Sequence, residues 1–349
     1  MKPLRRRAFD TAIALATCLG VALPAWAAPP QPVYAPNGGF ADPSVLSENG
    51  QFYGMATGSY VPSAQGDIAS GPWMPEGPAL SAMPSWATGN SMWAPDLERI
   101  SATEWVLYFS APVAGLGSGQ RCIGAATASS PLGPFTPVVG GPLVCPGLAD
   151  TPTADDTVPN RPITNAGVID PSGFKDSDGV RFLLYKTQQL PSSLRIVRLN
   201  AAGTHVYSGA TSRQLLHSDR IVENPVLVKR NGSYVLFASR GPYNLCTYET
   251  IWMRATSLAT NAFDTVTQHP LLTAGNTGGV CGPGGADIAV ALDGGQRLFF
   301  HGWLCGSSPC PSSFNEQTDT GGRRGMYVGV LGWDASNNPV VNLFLNPGD

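Results

Sequence analysis

Apolar residues along this chain fall in short runs, and long stretches of helical spacing are missing. The runs share one plan. Ala41-Asp42-Pro43-Ser44-Val45-Leu46 is followed by Glu48-Asn49-Gly50 and then by Phe52-Tyr53-Gly54-Met55-Ala56. Ile169-Asp170-Pro171-Ser172, Asp178-Gly179 and Phe182-Leu183-Leu184-Tyr185 repeat it, as do Glu223-Asn224-Pro225-Val226, Asn231-Gly232 and Tyr234-Val235-Leu236-Phe237. Looser copies run from Ala94-Pro95-Asp96-Leu97 to Trp105-Val106-Leu107-Tyr108-Phe109, and from Gly285-Ala286-Asp287-Ile288 to Arg297-Leu298-Phe299-Phe300-His301. Each copy predicts a strand, a tight turn and a second strand, since Asn-Gly and Asp-Gly supply the positive φ of a hairpin turn. Ile123-Gly124-Ala125-Ala126 and Ile251-Trp252-Met253-Arg254 predict third strands. The copies begin at positions 42, 95, 170, 223 and 286. Their separation of roughly 50 to 75 residues is one propeller blade plus loops. The expectation is an all-β chain, a five-bladed β-propeller over residues 28–349.

First strands of propeller blades line a central channel. Asp42, Asp170 and Glu223, read as the same position in three blades, are therefore predicted to meet near one mouth of it. Taken singly, each reads better as a turn-capping carboxylate. Taken together they suit glycosidic bond cleavage, which needs one carboxyl to protonate the leaving oxygen and another to activate water or attack. Carboxylates held together repel each other, and burial disfavours their charge, so one is driven toward a proton-donating form.

Composition narrows the setting. Lys2, Arg5, Arg6 and Arg7, an apolar run over 11–23 and Ala25-Trp26-Ala27 read as a signal peptide over residues 1–27, and a secreted or periplasmic protein is expected. The apolar run is too short to span a bilayer. Charged residues make up 13% with a net charge of −3 and no basic patch, which argues against nucleic acid as a partner. Six cysteines follow the leader, an even number that favours disulfides in an exported chain; neighbour pairing 122–145, 246–281 and 305–310 is the expected choice. No Cys-x-x-Cys with histidines at ligand spacing supports zinc. A monomer is expected.

At these motifs the chain resembles glycoside hydrolase family 43, five-bladed propellers acting on arabinose- and xylose-containing polysaccharides. The resemblance runs from about Phe40 to Val341. It rests on Ala41-Asp42-Pro43-Ser44, Trp93-Ala94-Pro95-Asp96, Ser129-Ser130-Pro131-Leu132-Gly133-Pro134-Phe135, Ile169-Asp170-Pro171 and Val222-Glu223-Asn224-Pro225, in family order. It implies Asp42 as general base, Glu223 as general acid and Asp170 as the group that holds Glu223 at a raised pKa. It also implies inversion, with base and acid roughly 6.5–9.5 Å apart to admit a water. Gly285 stands where many members have His, and Asn224 where Gly or Ala is commoner.

Trp93 and Trp303 are candidates to stack on sugar rings, and Arg240 to reach substrate; core packing, or solvation for the arginine, is the competing reading. His301 sits where the family often has a central histidine. It reads equally as support for a buried cation, such as a structural Ca2+ on the axis, or as a hydrogen-bonded core residue. No cofactor is required for the chemistry. Asp176-Ser177-Asp178-Gly179 begins like a calcium loop but lacks the bidentate Glu, and reads as a hairpin turn. The expected substrate is a plant cell-wall arabinan or arabinoxylan, with an α-L-arabinofuranosidase or arabinanase activity. A β-xylosidase and a non-catalytic carbohydrate-binding propeller are the alternatives. Segments 146–165 and 306–322 are expected to wall one end of the groove and favour exo cleavage.

Overall fold

The computed structural model describes residues 29–145, 166–305, 310 and 321–349. The expected signal peptide and most of the two expected walls lie outside them. The described residues form five small antiparallel sheets, which are the five blades of a β-propeller. Blade one holds β1 (Ser44–Glu48), β2 (Gln51–Met55), β4 (Pro62–Gly66) and β5 (Trp73–Pro78). Blade two holds β6 (Ser91–Ser101), β7 (Glu104–Pro112), β8 (Arg121–Ala128) and β9 (Thr136–Pro137), with β3 (Gly58–Ser59) crossing over from the blade-one connection. Blade three is β10 (Val168–Lys175), β11 (Arg181–Thr187), β12 (Ser192–Arg198) and β13 (Arg213–Ser218). Blade four is β14 (Val222–Arg230), β15 (Ser233–Arg240), β16 (Glu249–Ala255) and β17 (His269–Leu272). Blade five is β18 (Cys281–Val290), β19 (Gln296–Trp303), β20 (Arg324–Trp333) and β21 (Pro339–Leu345).

The continuous apolar runs in the second strands have a direct cause. Each such strand is sandwiched between two neighbouring blades, so both of its faces are buried. Val106 and Tyr108 of β7 pack toward Leu183 and Tyr185 of blade three, while Leu107 and Phe109 pack toward Met55 and Leu80 on the blade-one side. Leu236 of β15 meets Leu184 and Ile196, whereas Val235 and Phe237 meet Leu298 and Phe300. Phe299 of β19 turns the other way, against Phe52 and Trp73, and closes the ring between blades five and one. Five inter-blade cores result, and each fully buried Phe or Leu contributes about 1.5–3 kcal/mol of apolar burial. The N-terminal segment helps the closure, with Val33 N donating to Met326 O at 2.8 Å and Phe40 N to Arg324 O at 2.7 Å.

Turns follow the dipeptides. Asn49-Gly50 and Asn231-Gly232 are two-residue hairpin loops with positive φ at both positions, whereas the Asp178-Gly179 and Asp293-Gly294 loops are longer and place only the glycine there. Asp176 accepts from Lys229 Nζ at 2.5 Å and from Tyr234 O–H at 2.6 Å, so it ties blade three to blade four as part of a hairpin turn. The three disulfides pair neighbours: Cys122–Cys145, Cys246–Cys281 and Cys305–Cys310.

Candidate active site

The first strands converge on the axis through one three-residue step per blade: Asp42-Pro43-Ser44, Ala94-Pro95-Asp96, Asp170-Pro171-Ser172, Asn224-Pro225-Val226 and Gly285-Ala286-Asp287. The leading residue of every step is left-handed, with φ of 49°, 41°, 57°, 49° and 57° in that order. This corrects the register read from sequence. Asp42 and Asp170 are equivalent, but the blade-four equivalent is Asn224, and Glu223 stands one residue earlier, at the place Trp93 occupies in blade two. Blade four therefore starts one residue later than its sequence copy, whereas blades two and five start one residue earlier, at Ala94 and Gly285. The Pro that follows Asn224 marks the true alignment.

The left-handed turn aims each leading N–H at the preceding blade, where a side chain accepts it. Asp42 N donates to His301 Nδ1 at 3.1 Å, Ala94 N to Thr57 Oγ1 at 2.8 Å and Asp170 N to Ser110 Oγ at 3.2 Å. Asn224 N donates to Asp170 Oδ2 at 3.0 Å and Gly285 N to Ser239 Oγ at 2.8 Å. These five bonds close a ring around the axis and fix the two aspartates. Two residues deeper, Ser44, Asp96 and Asp287 repeat the device by accepting Leu97 N at 3.0 Å, Gly173 N at 2.8 Å and Val45 N at 2.7 Å. The deeper carboxylates are thus blade staples.

Thr57, Ser110, Ser239 and His301 hold the same place beside the first strand, and the matching place in blade three holds Lys186. An ammonium cannot accept a hydrogen bond. Asp170 takes over as the acceptor for Asn224, and Lys186 turns its charge to Glu223 Oε2 at 2.6 Å. The other oxygen, Glu223 Oε1, lies 2.9 Å from the Tyr248 hydroxyl, which also lies 2.8 Å from Asn224 Oδ1.

Three acids thus occupy three electrostatic settings. Burial alone would push the Asp42 carboxyl up, but the Arg324 guanidinium at 2.9 Å, the adjoining His301 ring and the bond donated by the Thr57 hydroxyl outweigh it and hold it well below the usual carboxylate range. Asp170 is pushed up to about 7 by burial and by the charge of Glu223, against the pull of Lys186. Because the two carboxylates repel each other, the proton belongs to the pair. Burial and the charge of Glu223 push the Tyr248 phenol well up, which keeps it a donor.

Space here is set by two glycines. A Cβ on Gly284 would lie 2.2 Å from the Tyr248 ring, and one on Gly285 would lie 2.5 Å from His301 Nδ1. Gly285, the departure noted above, is thereby explained: His301 lies directly against it and stacks on Tyr248, which lies against Gly284, with ring centroids 5.8 Å apart.

Other expected site residues fare unequally. Trp93 is half-buried at the mouth, with the Arg121 guanidinium 3.5 Å over its ring. Trp303 is 5% exposed and donates to Tyr243 O at 2.9 Å, so it packs as wall beneath Arg324 and offers no open face to a sugar. Arg240 is bound to Glu249 Oε1 at 2.5 Å and to Gln268 Oε1 at 3.2 Å, on the rim of blade four and outside the lining of the axial cleft. His301 is fully buried and kept neutral by burial and by Arg324. The residues around it do not fit a cation: Nδ1 already accepts Asp42 N–H, and a guanidinium nitrogen lies 3.2 Å from Nε2 and already neutralises Asp42. Cys246, Cys281 and Cys310 bring three sulfurs within 4.8 Å of one another, but all are in disulfides.

Residues 30–324 match the family described as glycosyl hydrolases family 43. The chain belongs to that family. Among curated relatives, a probable arabinan endo-1,5-alpha-L-arabinosidase B of Aspergillus fumigatus is 30% identical over 156 residues, 44% of this chain and 39% of the relative. A beta-D-galactofuranosidase, xynD, of Aspergillus niger is 28% identical over 235 residues, 63% of this chain and 62% of the relative. The chain thus spans less than two thirds of these relatives. Among solved structures, a thermostable family-43 glycoside hydrolase superimposes with a TM-score of 0.68 at 19% identity, covering 89% of this chain and 96% of that one. An exo-1,5-alpha-L-arabinanase from a bovine ruminal metagenomic library gives 0.63 at 18% identity, covering 87% and 97%. An endo-1,4-beta-xylanase of Bacteroides thetaiotaomicron gives 0.66 at 20% identity, covering 91% and 98%. At such identities these structures speak for the fold.

Within the family 43 frame, Lys186, Tyr248 and Arg324 are the site residues that sequence reading missed. Lys186 carried a signal, a lysine closing the buried run Phe182-Leu183-Leu184-Tyr185 at the place Ser, Thr or His holds elsewhere. Arg324 reaches Asp42 across 282 residues of sequence and carried none.

Proposed function

We propose that this family 43 glycoside hydrolase is a secreted enzyme that cleaves α-L-arabinofuranosidic bonds in arabinan or arabinoxylan with inversion of configuration. The observation that carries the reading is the division of labour among three acids at one cleft. Asp42, held ionised by Arg324, takes a proton from the attacking water. The Asp170–Glu223 pair retains a proton near neutrality, and Glu223 delivers it to the departing sugar oxygen. As Glu223 gives up that proton its charge grows, and Lys186 and Tyr248 are already in place against both its oxygens, so the environment needs no rearrangement as the bond breaks. Asp170 positions the pair and raises its proton affinity. Trp93 offers an apolar ring edge at the mouth.

Arabinose is favoured over xylose because the arabinosidase relative matches by sequence, whereas the xylanase matches by fold alone. Three disulfides support an oxidising destination. The mature protein and its Glu223→Ala variant should be assayed on aryl α-L-arabinofuranoside and aryl β-D-xyloside. Cleavage of the arabinofuranoside, lost in the variant, supports the reading. Cleavage of the xyloside alone would transfer it to xylan. Cleavage of neither, nor of polymeric arabinan, would leave a carbohydrate-binding propeller.

A further inference from the structure

On the face opposite the acids, the far ends of the blade-four and blade-five strands flank a groove of about 370 Å³. That volume lies in the range of small-molecule sites. It is lined by Arg230, Val290, Gln296, Leu331 and Trp333, with the Gly294-Gly295 turn at one edge. The Arg230 guanidinium lies 4.7 Å from the centre of the Trp333 ring. Its Nε is buried and has no acceptor, and no ion pair to this guanidinium occurs among the described residues. The neighbouring cations are committed elsewhere, Lys229 to Asp176 at 2.5 Å and Arg297 to Asp293 at 2.8 Å. Trp333 Nε1 donates to Gln296 Oε1 at 2.8 Å, which pins that amide beside the ring. Val290 is 55% exposed at the rim.

Arg230 lines the groove and no ion pair engages its guanidinium among the described residues, so its terminal N–H groups are the donors that face a ligand. The site pairs those donors with an indole, a fixed amide and an apolar rim. A furanose or pyranose ring matches the set: hydroxyls for the guanidinium and amide, and C–H faces for the indole and Val290. We propose that this groove is a second sugar-binding site, which holds a residue of the same polysaccharide while another stretch lies at Asp42 and Glu223. This rests on the polysaccharide reading above. The site would raise the residence of the enzyme on polymer without touching the chemistry.

Native gel electrophoresis through debranched arabinan, and separately through arabinoxylan, tests it. The parent carries Glu223→Gln, so that the polymer survives the run. The parent should be retarded, and adding Trp333→Ala or Arg230→Met should reduce that retardation severalfold, leaving the part due to the cleft. In the otherwise wild-type background both substitutions should leave aryl glycoside turnover within about twofold, which also shows that the variants fold. Retardation equal to the parent in both variants would overturn the proposal, as would a parent that neither polymer retards. Failure of the polysaccharide reading shows separately, as a wild-type protein that cleaves neither aryl glycoside.

Discussion

Tyr248→Phe removes a single hydroxyl from the acid machinery, one that lies between Glu223 and Asn224. The phenol donates to Glu223 Oε1 at 2.9 Å, while its ring is fully buried and stacked 5.8 Å from His301. Phenylalanine keeps the ring, the stack and the fit against Gly284, and removes only the hydroxyl. A hydrogen bond to a charged acceptor is worth about 1.5–3 kcal/mol. Charge on Glu223 rises as the leaving oxygen is protonated, so most of that value is lost from the transition state. At about 1.36 kcal/mol per tenfold, kcat should fall roughly 10- to 150-fold, with KM little changed. Steady-state kinetics on a poor leaving group, such as an arabino-oligosaccharide, reads this directly. An activated aryl leaving group needs less acid assistance and should show a smaller loss. Equal losses on both substrates, or kcat within twofold of wild type, would refute the role given to Tyr248.

Other perturbations have equally definite outcomes. Activity should fall as pH rises through about 7, where the raised Asp170 carboxyl ionises and the pair loses its proton; on the acid side it should persist below the ordinary aspartate range, because Asp42 is held down. In thermal unfolding at stepped pH, the Asp170 contribution should be lost as pH rises from the ordinary carboxylate range to about 7 and change no further above it, and the Asp42 contribution should be lost as pH falls below that range. Lys186→Met removes a charge that pulls Asp170 down, so the alkaline limb of the pH–rate profile should move upward. Arg324→Met should raise the acid limb, since Asp42 loses its nearest cation, and an unmoved limb would count against that pairing. Gly284→Ala should cost at least ten times in kcat/KM, because its Cβ would meet the Tyr248 ring at 2.2 Å and displace the phenol from Glu223.

The fold was legible because its physics is local and repeated. Asn-Gly or Asp-Gly turns mark four of the five blades and apolar second strands mark all five, and burial of those strands on both sides explains why they read as unbroken apolar runs. Asp42, Asp170 and Glu223 were legible as candidates because they open such repeats. The register was less so: Glu223 drew the alignment as the acid of its repeat, whereas Pro225 directly follows Asn224, and the left-handed turn at Asn224 makes it the equivalent of Asp42. Arg324 was hidden because its meaning is a contact across blades with Asp42, and the signal at Lys186 did not name its partner Glu223 for the same reason. Trp303 was misread for the same reason, since a tryptophan near a channel mouth looks alike whether its face is open or packed beside Cys281.

Proton NMR of the first sugar released from an aryl α-L-arabinofuranoside tests the central account most directly, because a water activated by Asp42 must attack opposite the bond that Glu223 protonates. The account predicts that β-arabinose appears first and mutarotates later. Initial release of the α anomer would show retention and contradict it.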